Sequence, residues 1–289
     1  MSFPRHETGV SGLVIPNLLD IASKQYQDAI TLYHLARFFG PVNTAKAVYT
    51  WQTGANEDAD LSLTDEKFDF PVTVGRSLHD FSNYLEISAD DVYDLPTELD
   101  DEIDGLPIVD VGAYIGLSAV YFASKYRDSK VIAVEPSSRN QRLLQINTAP
   151  YGDQIKVLNS ALTTEDKIAH NYFFGRRRNS HMANMFATNG IQLDPTGSVG
   201  TVAGITVDGL LGHVGDSRLG ILKVDIEGAE KALFESDAIK RLLDRTNILM
   251  IETHDNFMAG SSEAVESATE ASSMVSVDLN SHTDVYIRS

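Results

Sequence analysis

The sequence predicts an α/β fold, a buried and mostly parallel sheet flanked by helices, with an N-terminal helical extension. Three observations carry that reading. Apolar runs of strand length recur from Leu106 onward: LPIVDVG, KVIAVEP, IKVLNSAL, GILKVDIEG and NILMIETHD. Helical patterns of ten or more residues separate most of them, the alternation expected of βαβ units. The runs are apolar at successive positions, as in strands buried on both faces.

In chain order, residues 17–50 carry helical spacing through Leu18, Ile21, Ala22, Ala29, Ile30, Tyr33, Leu35, Ala36 and Phe39. Gly40-Pro41 interrupts that pattern, and a second helical stretch runs from Asn43 to Trp51. Gly54 to Asp69 is acidic and loop-like, and PVTVGRSLHDFSNYLEISADDVYDL reads as a strand and then a short helix. Residues 1–104 are therefore expected to form an extension or cap packed on a catalytic domain of residues 105–289. Within that domain LPIVDVGAYIG ends in a glycine turn before the helical pattern LSAVYFASKY. The helical patterns SSRNQRLLQINTA and AEKALFESDAIKRLL follow later strands. Ser137-Ser138 and Glu227-Gly228 stand where those two helices should start. The polar segment from Phe174 to Val199 is expected to be a loop or lid. MVSVDLNSHTDVYIRS alternates, turns near Asn280-Ser281 and alternates again, as a closing β-hairpin does.

Composition narrows the function. The 289 residues carry 23 Lys+Arg against 41 Asp+Glu, a net charge of −18. Such a field repels polyanions, so no nucleic-acid partner is expected. The short basic run Arg176–Arg178 reads as a solvated loop. The chain has 0 cysteines, which excludes disulfides, thiolate metal sites and a cysteine nucleophile. No basic start followed by an apolar run opens the chain, and no stretch reaches membrane-span length, so a cytoplasmic protein without membrane attachment is expected.

Asp110-Val-Gly112-Ala113-Tyr114-Ile-Gly116 closes the first core strand, where an open α/β sheet binds its ligand. A glycine turn lets the backbone approach that ligand, and the next helix offers unpaired N–H groups. Dinucleotide sites need a second glycine to admit a pyrophosphate, and Tyr114 stands at that position. A ligand without phosphate, such as S-adenosylmethionine, is compatible with a bulky side chain there. Glu135 ends the second strand, 25 positions after Asp110, where an acidic residue chelates the two hydroxyls of a ribose. Asn159, Ser160 and Ala161 end the third strand and offer a small polar edge to adenine.

Further along, Asp225 and Glu227 lie two residues apart at a strand end and face the same way while the strand stays extended. Glu252 and His254 repeat the arrangement. Three readings are open for the carboxylates: a divalent metal site, orientation of a substrate hydroxyl, or an ion network with Lys223. His254 is the general-base candidate, because imidazole titrates near neutrality.

These stretches resemble the FkbM family of S-adenosylmethionine-dependent methyltransferases. RSLHDFSNYLEISADDVYDL, IVDVGAYIGLSAVYFA, IAVEPSSRNQRLLQIN, LKVDIEGAEKALF and IETHD run in that family's order from about residue 72 to 260. The K-x-D-x-E-G-A-E segment followed by I-E-x-H-D is the more specific part. The resemblance implies a seven-stranded Rossmann-like class I methyltransferase sheet with its last strand antiparallel. It also implies O-methylation of a sugar or a small secondary metabolite. N-methylation of a peptide amide or amine, and a methyltransferase-like binding module without catalysis, are the alternatives. Carried over by position, Asp110, Gly112, Ala113, Tyr114, Gly116, Glu135, Asn159, Ser160, Ala161 and Asp225 are expected to bind the cofactor. Asp225, Glu227 and His254 are expected in the active site, with Asp225 and Glu227 as ligands if Mg²⁺ takes part. Tyr114 departs from the family, which has asparagine there.

Overall fold

The computed structural model describes residues 60–75, 78–164, 169–174, 183–187, 198–226, 228–279 and 283–289. They belong to one compact unit, Asp58–Ser289. The helical patterns expected over residues 17–50, the Arg176–Arg178 run, Glu227 and the turn at Asn280-Ser281 lie outside the described residues.

The unit opens with strands β1 (Leu61–Leu63) and β2 (Val72–Val74), then helix α1 (Leu78–Ser88) and a 3₁₀ turn at Thr97–Glu102. The core follows as β3 (Ile108–Val111), α2 (Leu117–Lys125), β4 (Val131–Val134), α3 (Ser138–Thr148) and β5 (Ile155–Leu158). Short strands come next: β6 (Ala161–Thr163), β7 (Ala169–Phe174), β8 (Ala183–Ala187), β9 (Ser198–Val202) and β10 (Gly204–Thr206). The chain then returns to the core with α4 (Val207–Val214), β11 (Leu219–Val224), α5 (Glu230–Phe234), α6 (Asp237–Leu243) and β12 (Thr246–Ile251). It closes with α7 (Ser261–Ala271), β13 (Met274–Val277) and β14 (Asp284–Arg288).

The main sheet has seven strands in the order β13-β14-β12-β11-β3-β4-β5. The pairs β12–β11, β11–β3, β3–β4 and β4–β5 are parallel, and β14 runs antiparallel to both β12 and β13. This is the expected α/β sheet with its last strand reversed. Strands β3, β4 and β11 are buried at every position. Each fully buried leucine or isoleucine removed from water contributes roughly 1.5–3 kcal/mol, and the core cluster joins residues of these strands to residues of the flanking helices.

Helix α2 is buried at seven successive residues, Leu117 to Ala123. A helix lying on a sheet buries only one stripe, so something must cover its other side. Residues 60–104 do so: Tyr93 packs on Phe122 with ring centroids 5.5 Å apart, and Asp69 N–H donates to Ser124 Oγ at 2.9 Å. Asn147 of α3 binds the backbone of Thr73 through both its amide atoms.

Two expectations are corrected. The loop expected from Gly54 to Asp69 contains β1, which pairs antiparallel with β2; backbone pairing needs no long apolar run, and only Leu63 of its three residues is buried. The loop expected from Phe174 to Val199 contains β8 and the start of β9, which flank β7 in a three-stranded antiparallel sheet. Short strands in a local meander leave little periodicity to read.

Candidate active site

The parallel register brings the strand ends to one edge. Gly112 N–H donates to Val134 O at 2.9 Å, Glu135 N–H to Leu158 O at 3.1 Å, Asp225 N–H to Val111 O at 2.9 Å and Glu252 N–H to Val224 O at 3.1 Å. Four consecutive carboxyl ends therefore deliver Glu135, Gly112, Asp225 and Glu252 side by side. A pocket opens there. Of the expected residues, Gly112, Tyr114, Glu135, Ser160, Ala161, Asp225 and His254 line it. Asn140, Lys223 and Glu252 join them, and α1 adds His79, Asn83 and Glu86.

The glycine turn has a steric cause. Gly112 sits at φ +85°, and a Cβ there would lie 1.7 Å from Asp225 O. Tyr114 adopts φ 49°, a left-handed conformation that non-glycine residues seldom take. Its N–H donates to Glu135 Oε2 at 3.0 Å, its hydroxyl donates to Asp80, and its ring meets His79 edge-on at 4.9 Å. The residue expected to exclude a pyrophosphate thus fastens the turn to Glu135 and to α1.

Glu135 is buried in the pocket wall. Oε1 accepts Ser137 N–H at 2.7 Å and Asn140 Nδ2 at 3.1 Å. Burial pushes its carboxyl up to about 7, against the three donors that favour the charged form. A carboxylate has about four acceptor positions, and the described residues fill three of them. One position is left for a hydroxyl donor. This acceptor fits the ribose of a nucleoside and is unsuited to a phosphate, which brings only oxygens at neutral pH.

Lys223 and Asp110 are register partners on β11 and β3, so their side chains share a face. The Lys223 ammonium lies 3.1 Å from Asp110 Oδ1, donates to Gly112 O at 3.1 Å and lies 4.0 Å from Asp225 Oδ2. Burial alone would lower the lysine's pKa, but the charges of Asp110 and Asp225 hold it above the ordinary value. Ser118 Oγ donates to Asp110 Oδ2 at 2.6 Å. Asp110 is wholly buried, so its role here is to hold Lys223 beneath the turn.

His254 lies beyond β12 and is largely buried. Its Nδ1 is 2.9 Å from Glu230 Oε1, while Nε2 lies 3.8 Å from Asp225 Oδ1 and 3.7 Å from Glu252 Oε1. A carboxylate accepts, so the 2.9 Å contact puts a proton on Nδ1, and the neutral imidazole then presents its lone pair at Nε2. Partial desolvation of the half-exposed side chain, and then the neighbouring Asp225 charge, push Glu252 up to about 6. Ligand atoms of Asp225, Glu252 and His254 all lie within 4.8 Å of one another, a set able to hold one divalent cation. Chemically, the cluster can take a proton from a bound hydroxyl or amine.

The remaining expected residues take other places. Ala113 is buried within the turn, Gly116 caps α2 in the left-handed region, and Asn159 is exposed; none of these lines the pocket. Sequence reasoning missed Glu230, His79, Asn83, Glu86 and Asp80. Glu230 stands inside K-x-D-x-E-G-A-E, where only its place at a helix start signalled a role. The α1 residues stand inside RSLHDFSNYLEISADDVYDL, a stretch that carries the family resemblance without singling out any of them.

Residues 110–278 match the methyltransferase FkbM domain. A curated relative, the AMB antimetabolite synthetase AmbE of Pseudomonas aeruginosa, is 26% identical over 251 residues, which cover 73% of this chain. The chain spans 11% of that protein's length. Among solved structures, the methyltransferase FkbM from Methylobacillus flagellatus is similar at 15% identity, with a TM-score of 0.40 over 85% of this chain and 60% of that one. Aeropyrum pernix fibrillarin, in complex with natively bound S-adenosyl-L-methionine, is similar at 10% identity, with a TM-score of 0.38 over 68% of this chain and 70% of that one. The family match over more than half of the chain, on a seven-stranded sheet with one reversed strand, shows that this chain belongs to the FkbM domain family of S-adenosylmethionine-dependent methyltransferases.

Proposed function

We propose that this methyltransferase transfers a methyl group to a hydroxyl oxygen of a sugar or small secondary metabolite. The carrying observation is the Glu230–His254 pair, which turns an imidazole nitrogen into the pocket that holds Glu135 and the glycine turn. S-adenosylmethionine, when bound, supplies an electrophilic methyl group on a sulfonium sulfur. Glu135 accepts one ribose hydroxyl at its remaining position, and the turn at Gly112 borders the amino-acid end. Ser160 and Ala161 border the adenine. His254 Nε2 takes the acceptor's proton, and Asp225 and Glu252 stabilise the imidazolium that results. Such a base contributes roughly 10²–10⁴-fold, and positioning of the acceptor about 7–11 kcal/mol at best.

The likeness to a segment of an antimetabolite synthetase supports an acceptor from secondary metabolism. The net charge of −18 supports a small acceptor over a nucleic acid. No helix among the described residues is long and apolar enough to cross a membrane, and we place the enzyme in the cytoplasm. The described part of the expected N-terminal cap, residues 60–104, takes part in acceptor binding through His79, Asn83 and Glu86. The acid-rich wall of Glu86, Asp225 and Glu252 favours a second reading, N-methylation of an amine. Asp225 and Glu252 with His254 are also the set we assign to any divalent cation.

The test pairs calorimetry with S-adenosylhomocysteine and methyl transfer from labelled S-adenosylmethionine to a panel of sugars, polyols, phenols, amines and RNA. His254→Ala should bind S-adenosylhomocysteine normally and lose transfer to hydroxyl acceptors. Undiminished transfer by that variant removes His254 from the mechanism. Cofactor affinity without transfer to any acceptor would favour the binding module.

A further inference from the structure

The carboxylate behind His254 does not itself line the pocket. Glu230 opens helix α5 and is wholly buried. Its Oε1 accepts three donors: Ile226 N–H at 3.3 Å, Gly228 N–H at 3.1 Å and His254 Nδ1 at 2.9 Å. Its Oε2 is buried with no hydrogen-bond partner among the described residues. A buried carboxylate is costly unless donors surround it. Here the donors are gathered on one oxygen, and they come from two places: the chain leaving β11 and the chain leaving β12.

We infer that Glu230 is a positioning residue for methyl transfer: it fixes the tautomer and the ring orientation of His254. It does so while tying that ring to the segment that carries Asp225 and Ile226. The inference rests on the reading of His254 as the acceptor's base. With Nδ1–H committed to Glu230, the lone pair of Nε2 points at the pocket. Without that commitment the imidazole is free to place its proton on Nε2, where it can donate but not abstract. The carboxylates facing His254 among the described residues are Glu230 from α5, Asp225 beyond β11 and Glu252 beyond β12. Asp225 and Glu252 approach Nε2 only to 3.8 and 3.7 Å, beyond hydrogen-bond length, whereas Glu230 meets Nδ1 at 2.9 Å and so holds the proton there. Asp255 is occupied by Gly260 N–H and Ser262. The ring of Phe257 lies 5.9 Å from the imidazole, tilted against it, and adds packing without a proton acceptor.

The role is separable from a purely structural one by a spectroscopic signature. Full-length protein labelled with ¹⁵N-histidine is saturated with S-adenosylhomocysteine at mildly alkaline pH. The His254 signals are assigned by their loss in His254→Gln. Wild type should show the Nδ1–H tautomer. Glu230→Met, which removes the acceptor at similar volume, should move His254 towards a mixture containing the Nε2–H tautomer, with S-adenosylhomocysteine affinity changed less than about threefold. Glu230→Asp, which restores the charge at shorter reach, should recover part of the Nδ1–H population. An unchanged Nδ1–H tautomer in folded Glu230→Met overturns the inference. So does an Nε2–H tautomer in wild type, a measurement that stands even where the variants do not fold. Failure of the base reading shows separately, as methyl transfer retained by His254→Ala whatever tautomer is observed.

Discussion

Gly112→Ala should damage the enzyme severely, because the added methyl group meets backbone at the shortest distance found among the described glycines. The new Cβ would lie 1.7 Å from Asp225 O and 2.8 Å from Asp225 C. Both are backbone atoms, so no rotamer change relieves the contact. The gap must open to at least 3.0 Å, the shortest separation a Cβ tolerates. A left-handed alanine costs about 1–2 kcal/mol, and forced overpacking adds about 1–3 kcal/mol. A total of about 2–5 kcal/mol should lower Tm by roughly 5–15 °C in a domain of this size. The relief has to separate the glycine turn from the Asp225 strand end, the two walls the cofactor touches. Loss of even one hydrogen bond there, about 1–1.5 kcal/mol, weakens S-adenosylhomocysteine binding about tenfold. Thermal melting and calorimetry read both effects. Gly152→Ala is the control: Gly152 has φ +54° and nothing within 4 Å, so only the backbone cost applies. Gly112→Ala that melts with the control and binds S-adenosylhomocysteine like wild type would refute the steric account of the turn.

Further outcomes follow from the charges. Glu135 titrates near the ordinary 4.5 when unfolded and near 7 when folded, so the folded protein holds that proton more tightly in between. Its stability contribution is complete below the unfolded value and is lost as pH rises through the folded one, by roughly 3 kcal/mol. Glu135→Gln should flatten the pH dependence of Tm over that window; an unaltered slope contradicts the assignment. A ribose hydroxyl donating to the ionised form should release a proton when S-adenosylhomocysteine binds near neutral pH, seen as a calorimetric enthalpy that varies with buffer. Lys223→Met leaves Asp110 buried and uncompensated, which should cost about 3–5 kcal/mol. Adding Asp110→Leu should recover most of that loss, and a double variant no more stable than the single would refute the pairing.

The sequence by itself determined the sheet and the place of the site. Short, β-branched apolar runs such as VIAV and ILMI read as buried strands, and the helical patterns between them imply parallel neighbours. The carboxyl ends then fall at one edge, which placed Gly112, Glu135, Asp225 and His254 together before any coordinates. Local pattern failed where the stabilising partners are distant or the strands are short. Strand β1 exists because β2 pairs with it, and β8 and β9 because both flank β7. Tertiary structure alone decided the finer chemistry. Glu230 reaches His254 across 24 positions because α5 and the end of β12 pack together. Residues His79, Asn83 and Glu86 reach the pocket because α1 covers α2, an apolar helix that the sheet buries on one side only. A charge or hydroxyl read along the chain has no partner until the fold supplies one, and its partner sets its tautomer, its proton affinity and its role.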